Sequence, residues 1–179
     1  MELETLPRVH WLQLPGHESL NARLLARFEA VKDAPEHRRS HHFHGRYENL
    51  YIEREQIPEI APLIEAAEQA ALQVLGRSGP IRCGFWFNAM GPGHRTTPHT
   101  HDEDDELLSA VYYVTVPEDS GELLLYADPA TVRVTPEPGL LVLFPPSLEH
   151  EVEENRSDRL RLSIAFNFGP RQGEASADA

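Results

Sequence analysis

Two histidines one residue apart, His99 and His101, sit in the run Pro98-His99-Thr100-His101-Asp102. If residues 96–102 are a strand, side chains at i and i+2 leave it on the same face. The two imidazoles then stand side by side, as they must to hold a divalent metal. A third donor is available in His150, which follows Phe144-Pro145-Pro146 at the start of another predicted strand. Imidazole serves Fe, Zn, Cu and Ni alike, so the donor set does not choose the ion. An isolated His-x-His is more often a surface pair in a polar loop. The third histidine on a matching strand favours a metal centre here.

A second group is Arg159-Leu160-Arg161-Leu162-Ser163. Alternation puts Arg159, Arg161 and Ser163 on one face and Leu160, Leu162 and Ile164 on the other. An arginine facing a barrel interior is costly unless it meets an anion. A guanidinium beside a hydroxyl grips a carboxylate through two parallel N–H donors. The competing reading is an exposed arginine among the chain's many acids, and the local sequence leaves both open. His41, His42 and His44 crowd a polar stretch and could line a substrate entrance. The acidic run Asp102 to Glu106 could attract a cation. Solvated surface is the simpler reading of both. Cys83 reads as a small buried apolar residue, and Trp86 and Phe87 as core.

The elements that must position these residues divide into a helical front and a strand-rich back. Residues 1–16 read as an extended lead-in. Leu20, Leu24, Leu25, Phe28 and Val31 recur at helical spacing over 18–31. Residues 33–47 read as a polar loop. A second helix starts near Pro58 and ends at Gly76, a good C-terminal cap. After residue 80 the period changes to two, with strands predicted at 81–89, 96–102, 109–116, 122–126, 131–134, 139–144, 149–153 and 159–168. Many short strands between Gly and Pro turns argue for a sandwich or closed barrel. Helices precede the sheet instead of alternating with it, which argues against a doubly wound fold. The expected organisation is an N-terminal helical segment over 1–80, a β core over 81–169 and a disordered tail over 170–179.

Composition narrows the function. The 179 residues suit one compact domain. Twenty-nine acids against 16 bases give a net charge of −13. That disfavours nucleic acid, whose binding needs a basic surface, and anionic membranes. No apolar run approaches the ~20 residues that span a bilayer. The acidic start and the single cysteine read as a cytoplasmic chain without a disulfide framework. Leu24 and Phe28 share a helix face, which packs on the barrel or forms a homodimer contact.

In combination, these motifs are recognisable. His99-x-His101, then Ser109-Ala110-Val111-Tyr112-Tyr113-Val114, then His150, then Arg161-x-Ser163 resembles the iron(II)/2-oxoglutarate-dependent oxygenases. It is most similar to a small bacterial, prolyl-hydroxylase-like branch with a His-x-His first motif. The resemblance covers about residues 84–168. It implies a mainly β fold with N-terminal helices, a double-stranded β-helix (a jelly roll, or cupin-like barrel). It implies Fe(II) held by His99, His101 and His150, with 2-oxoglutarate and O2 as co-substrates. Arg161 and Ser163 would hold the distal carboxylate of 2-oxoglutarate. Tyr112 or Tyr113 and Asn88 would line the same pocket. The expected activity is hydroxylation of a small-molecule or peptide substrate, with 2-oxoglutarate decarboxylated to succinate.

The chain departs from the family at one ligand. The usual first motif is His-x-Asp or His-x-Glu, and here His101 takes the carboxylate position. Three neutral imidazoles leave the site one negative charge poorer, which bears on hydroxylase activity more than on fold. Asp102, Glu103 or Glu106 could restore a carboxylate. The sequence is also similar to the cupins. In that reading His99, His101, Glu106 and His150 bind the metal, Asn155 belongs to the second motif, and no 2-oxoglutarate is needed. Arg161 and Ser163 discriminate, because a cupin does not require them.

Overall fold

The computed structural model describes residues 4–6, 8–43, 46–101 and 105–171. His44, Asp102, Glu103, Asp104 and most of the expected tail, 172–179, lie outside the described residues. In chain order the elements are β1 (Glu4–Leu6), β2 (Val9–Gln13), α1 (His17–Val31), β3 (Arg38–Phe43), β4 (Arg46–Tyr51), a 3-10 turn (Pro58–Ile60) and α2 (Ala61–Leu75). Then come β5 (Ile81–Met90), β6 (Leu108–Thr115), β7 (Leu123–Ala127), β8 (Ala130–Val134), β9 (Leu140–Phe144), β10 (His150–Val152) and β11 (Arg161–Pro170). An eight-stranded sheet runs β1-β2-β9-β6-β11-β5-β4-β3, and a three-stranded sheet runs β10-β7-β8.

Two apolar layers hold these elements. One side of the large sheet packs Phe87, Tyr112, Leu141, Ile164 and Phe168 against Leu24 and Phe28 of α1 and Leu63 and Ala67 of α2. The rings of Phe28 and Phe87 lie 5.2 Å apart. The other side packs Val9, Tyr113, Val142 and Phe144 against Leu123, Leu125 and Val134 of the small sheet. The two sheets are therefore the walls of a double-stranded β-helix, with both helices on the outside of the larger wall. The second helix ends as expected, on Gly76 at φ 62°, whose N–H reaches back to the Gln73 carbonyl. No helix among the described residues is long and apolar enough to cross a membrane.

The structure corrects three sequence-based expectations. Residues 33–47 are not a loop but carry β3 and the start of β4. β3 is the outer edge of the large sheet, and a charged, polar edge strand reads as a loop in sequence. The segment 1–80 is accordingly more than helical. It contributes β1–β4, with β2 paired to β9 and β4 to β5, so its chain is woven into the β core. Finally, of the expected strand 96–102, the described residues 96–101 do not form a regular strand. Only a single bridge joins His99 to His150. Pro98 lacks the N–H that a ladder needs, and Gly91-Pro92-Gly93 breaks the approach.

Candidate metal centre and its pocket

The three histidines converge although two of them are not on a strand. The segment 91–101 is laid against 146–155 by backbone hydrogen bonds. Asn155 N–H donates to the His94 carbonyl at 2.8 Å, and Thr96 N–H to Val152 at 3.1 Å. His99 and His150 exchange both N–H···O bonds at 3.0 Å, and His101 N–H reaches the Pro146 carbonyl at 2.8 Å. One ligand atom from each of His99, His101 and His150 lies within 4.8 Å of the others. Ring centroids are 4.3 Å apart for His99 and His150, and 5.0 Å for each ring to His101.

Backbone carbonyls fix two of the tautomers. His99 Nδ1 lies 2.7 Å from the Thr97 carbonyl, and His150 Nδ1 lies 2.9 Å from the Leu148 carbonyl. A carbonyl only accepts, so each Nδ1 carries a proton, and Nε2 is the ring nitrogen left for a metal. His150 is 5 % exposed, and burial with His99 nearby pushes its pKa down to about 3. It is therefore neutral at pH 7, the state a ligand needs.

One cavity of about 110 Å³ contains His99, His101 and His150 together with Asn88, Arg161 and Ser163. Arg161, at the start of β11, is 1 % exposed. Its Nη1 donates to the Ser120 carbonyl at 3.1 Å and the Gly121 carbonyl at 2.8 Å. Its guanidinium carbon lies 5.1 Å from the centre of the Tyr113 ring. Arg161 Nε and the Tyr113 hydroxyl are both buried without a hydrogen bond of good geometry, and the guanidinium and the hydroxyl lie close enough to interact with each other. Burial pushes the Tyr113 hydroxyl up, against the pull of Arg161. A buried cation with an unused donor, beside an unused hydroxyl, forms a receptor for an anion. Gly121 is required at the receptor's floor. It has φ +85°, and a Cβ there would come 2.3 Å from the Glu153 carbonyl oxygen.

Several expected residues fall elsewhere. Tyr112 is not in the pocket. It points to the helix side, where its hydroxyl donates to Asn21 Oδ1 at 2.7 Å, and Tyr113 takes the pocket side. Arg159 precedes β11 and is exposed, so it does not share the Arg161 site. Glu106 is not part of the histidine group, and Glu103 lies outside the described residues. Asn155 is fully buried and acts as a structural pin, with its Nδ2 donating to the carbonyls of Met90 and Arg159.

The sequence reading missed Glu48 and Asn49 of β4 as cavity residues, and took Trp86 for plain core. Trp86 is buried, but its ring also lies 5.5 Å from His101 on the cavity side. The run Arg46-Tyr47-Glu48-Asn49-Leu50-Tyr51 has no clean alternation, so the sequence carries no period-two signal for this strand.

Comparisons with known proteins follow the same lines. Residues 126–167 match a family model described as "Putative 2OG-Fe(II) oxygenase". No curated protein matches the chain. Among solved structures, a Pseudomonas putida prolyl-4-hydroxylase is 25% identical, over 90% of this chain and 92% of that one, with a TM-score of 0.71. SnoK, a non-heme alpha ketoglutarate dependent carbocyclase from nogalamycin biosynthesis, shares the fold at a TM-score of 0.74 and 16% identity, over 91% and 79% of the chains. A Burkholderia pseudomallei oxidoreductase of the 2OG-Fe(II) oxygenase family does so at 0.66 and 17%, over 91% and 85%. Residues 126–167 thus match the model of a 2OG-Fe(II) oxygenase family, and the chain shares its double-stranded β-helix fold with the prolyl-4-hydroxylase and the other oxygenases compared.

Proposed function

We propose that His99, His101 and His150 hold Fe(II), and that Arg161, Tyr113 and Ser163 seat the distal carboxylate of 2-oxoglutarate. The enzyme is then a hydroxylase-type oxygenase acting on a small molecule or peptide. The observation that carries this reading is the pair of unsatisfied buried groups, Arg161 Nε and Tyr113 OH, in the cavity that holds the histidines. The residues present fit the metal too, since two of the three imidazoles spend Nδ1–H on a backbone carbonyl, which leaves Nε2 as the available ring nitrogen. The cupin alternative loses its fourth ligand, because Glu106 stands outside the histidine group.

When bound, the iron supplies activation of O2 coupled to decarboxylation of 2-oxoglutarate to succinate. The chain's residues supply position and environment. Arg161 is held by two carbonyls and a ring face, so it meets the carboxylate without reorganising. Ser163 on the same strand offers a hydroxyl beside it. Phe144, whose ring is 4.8 Å from His150, and Trp86 against His101 keep water from the ligand side of the imidazoles. With three neutral ligands the metal keeps its full positive charge, which strengthens its attraction for a dianionic co-substrate.

The test is spectroscopic. Metal-free protein is given Fe(II) without oxygen, then 2-oxoglutarate, beside an Arg161→Ala variant. A weak visible charge-transfer band in the wild type, lost or weakened in the variant, is expected. Iron binding with no band, and no effect of Arg161, would overturn the reading.

A further inference from the structure

The cavity has a second polar wall that the metal and the Arg161 site do not use. It is built by the β3–β4 pair and β5. His41 has φ 55°, in the left-handed region that a histidine inside a strand rarely adopts. The register runs Ser40↔Asn49 and His42↔Tyr47, which leaves His41 opposite Glu48. The conformation is held by a chain of side-chain bonds. Asn49 Nδ2 donates to His41 Nδ1 at 2.9 Å, and Asn88 Nδ2 donates to Asn49 Oδ1 at 2.9 Å and to the Glu48 carbonyl at 3.0 Å. These bonds fix both amides and leave the His41 proton on Nε2. Strain of this kind collects at functional sites.

Within this wall Glu48 is unsatisfied. Its side chain is 11% exposed, and Oε1 is buried without a hydrogen-bond partner. Arg46 Nη2 forms an ion pair with Oε1 at 3.7 Å, too long for a hydrogen bond, and donates to the Arg95 carbonyl at 3.0 Å. Burial raises the Glu48 pKa, against the pull of Arg46, His99 and His41. Glu48 thus has an ion-pair partner in Arg46 but an oxygen that accepts no hydrogen bond, and it lines the same cavity as the histidines. Arg161 lies two strands away in the order β11-β5-β4 and is tied to the 120–121 turn. The cavity therefore has an anion receptor on one side and a carboxylate on another. A second acid would be repelled from the Glu48 side, whereas the net charge of −13 draws cations toward the molecule.

We propose that the wall of Glu48, His41 and Asn49 binds the substrate that is oxidised, and that Glu48 takes its positively charged amine. This rests on the oxygenase reading for the reaction, but not for the binding. The substrate class is an amine whose ammonium sits on Glu48 and whose neighbouring carbons reach toward the histidines. A free amine and the side-chain amine of a peptide share this chemistry.

The experiment uses the fluorescence of Trp86, which lines the cavity, in the full chain carrying Trp11→Phe. The protein, loaded with Zn(II), is titrated at pH 7.5 with n-butylammonium, with butyrate as the anion of the same length. Saturable quenching by butylammonium is expected, weakened at least tenfold by Glu48→Gln. Butyrate binding, at the Arg161 side, should not be weakened by that change. Equal butylammonium binding in both forms, or no saturation in the wild type, would overturn the proposal. If Glu48→Gln fails to fold, stronger quenching by butyrate than by butylammonium in the unsubstituted wall does so instead. Adding an acetyl-lysine-amide arm separates the sources: binding equal to butylammonium points to a peptide side chain, and weaker binding to a free amine. Neither iron nor 2-oxoglutarate is needed, so a failed charge-transfer band and a failed amine titration are separate results.

Discussion

Replacing Arg161 by methionine separates binding from folding, because its two roles have opposite signs. Methionine keeps much of the volume, so little cavity cost arises. In the free protein the change strips the Ser120 and Gly121 carbonyls of their donor, a cost of about 1–3 kcal/mol each. It also removes a guanidinium that is 1 % exposed, with no carboxylate partner among the described residues, and whose pKa burial pulls down. Relief from burying that charge is worth several kcal/mol, so the two effects offset. The expected change in stability is within about 1 kcal/mol, or roughly 2–4 °C in Tm for a chain of this size. Binding of 2-oxoglutarate has no such offset. Two charge-assisted hydrogen bonds at about 1.5–3 kcal/mol each amount to a loss of roughly 10²- to 10⁴-fold in affinity. Anaerobic titration with the charge-transfer band gives the affinity, and thermal unfolding of the metal-free protein gives the stability. A loss under tenfold, or a Tm that collapses with the affinity, would refute the reasoning.

The adjacent tyrosines should behave oppositely. Tyr112→Phe loses a bond to Asn21 and about 1 kcal/mol of stability, seen in urea unfolding, with 2-oxoglutarate affinity unchanged. Tyr113→Phe costs little stability, since its hydroxyl makes no hydrogen bond of good geometry and only a weak contact with Arg161 in the free chain, and weakens 2-oxoglutarate binding in the same titration. A divalent metal at 100 times its Kd should add about 2.7 kcal/mol, raising Tm by roughly 5–10 °C. His101→Ala should abolish that gain and His101→Asp should retain it, both read by thermal unfolding. Burial pushes the Cys83 thiol up to about 12, so it stays protonated at pH 8. Iodoacetamide should leave it unmodified in the native protein, by mass spectrometry, and label it after denaturation.

The histidines and Arg161 were legible because their chemistry stands out wherever the backbone puts them. The helices were legible because one face is apolar at a period near 3.6, and Gly76 marks an end. Tyr112 and Tyr113 could not be assigned to faces by alternation, since β6 is buried on both sides and both positions look alike. Its register against β9 and β11 makes that choice, and register is a long-range property. β3 was hidden because an edge strand is polar for a reason unrelated to being a loop. Glu48 was hidden with it. The loop 91–101 shows a different limit. Its histidines meet because 146–155 templates it, and no local pattern encodes that partner.

That templating has a consequence for how the metal is acquired. The two segments that carry the three histidines are zipped together by backbone hydrogen bonds that no metal has to create. The ordering entropy of the triangle belongs to folding, so the ion meets a finished socket. Amides of His99, His101 and His150 should then exchange as one slow group, with or without metal. A rigid socket of three imidazoles also has little means of choosing among first-row ions by shape. The choice of ion would then fall to supply and to the intrinsic order of imidazole affinities. The fold provides a vice, and selectivity is left to its surroundings.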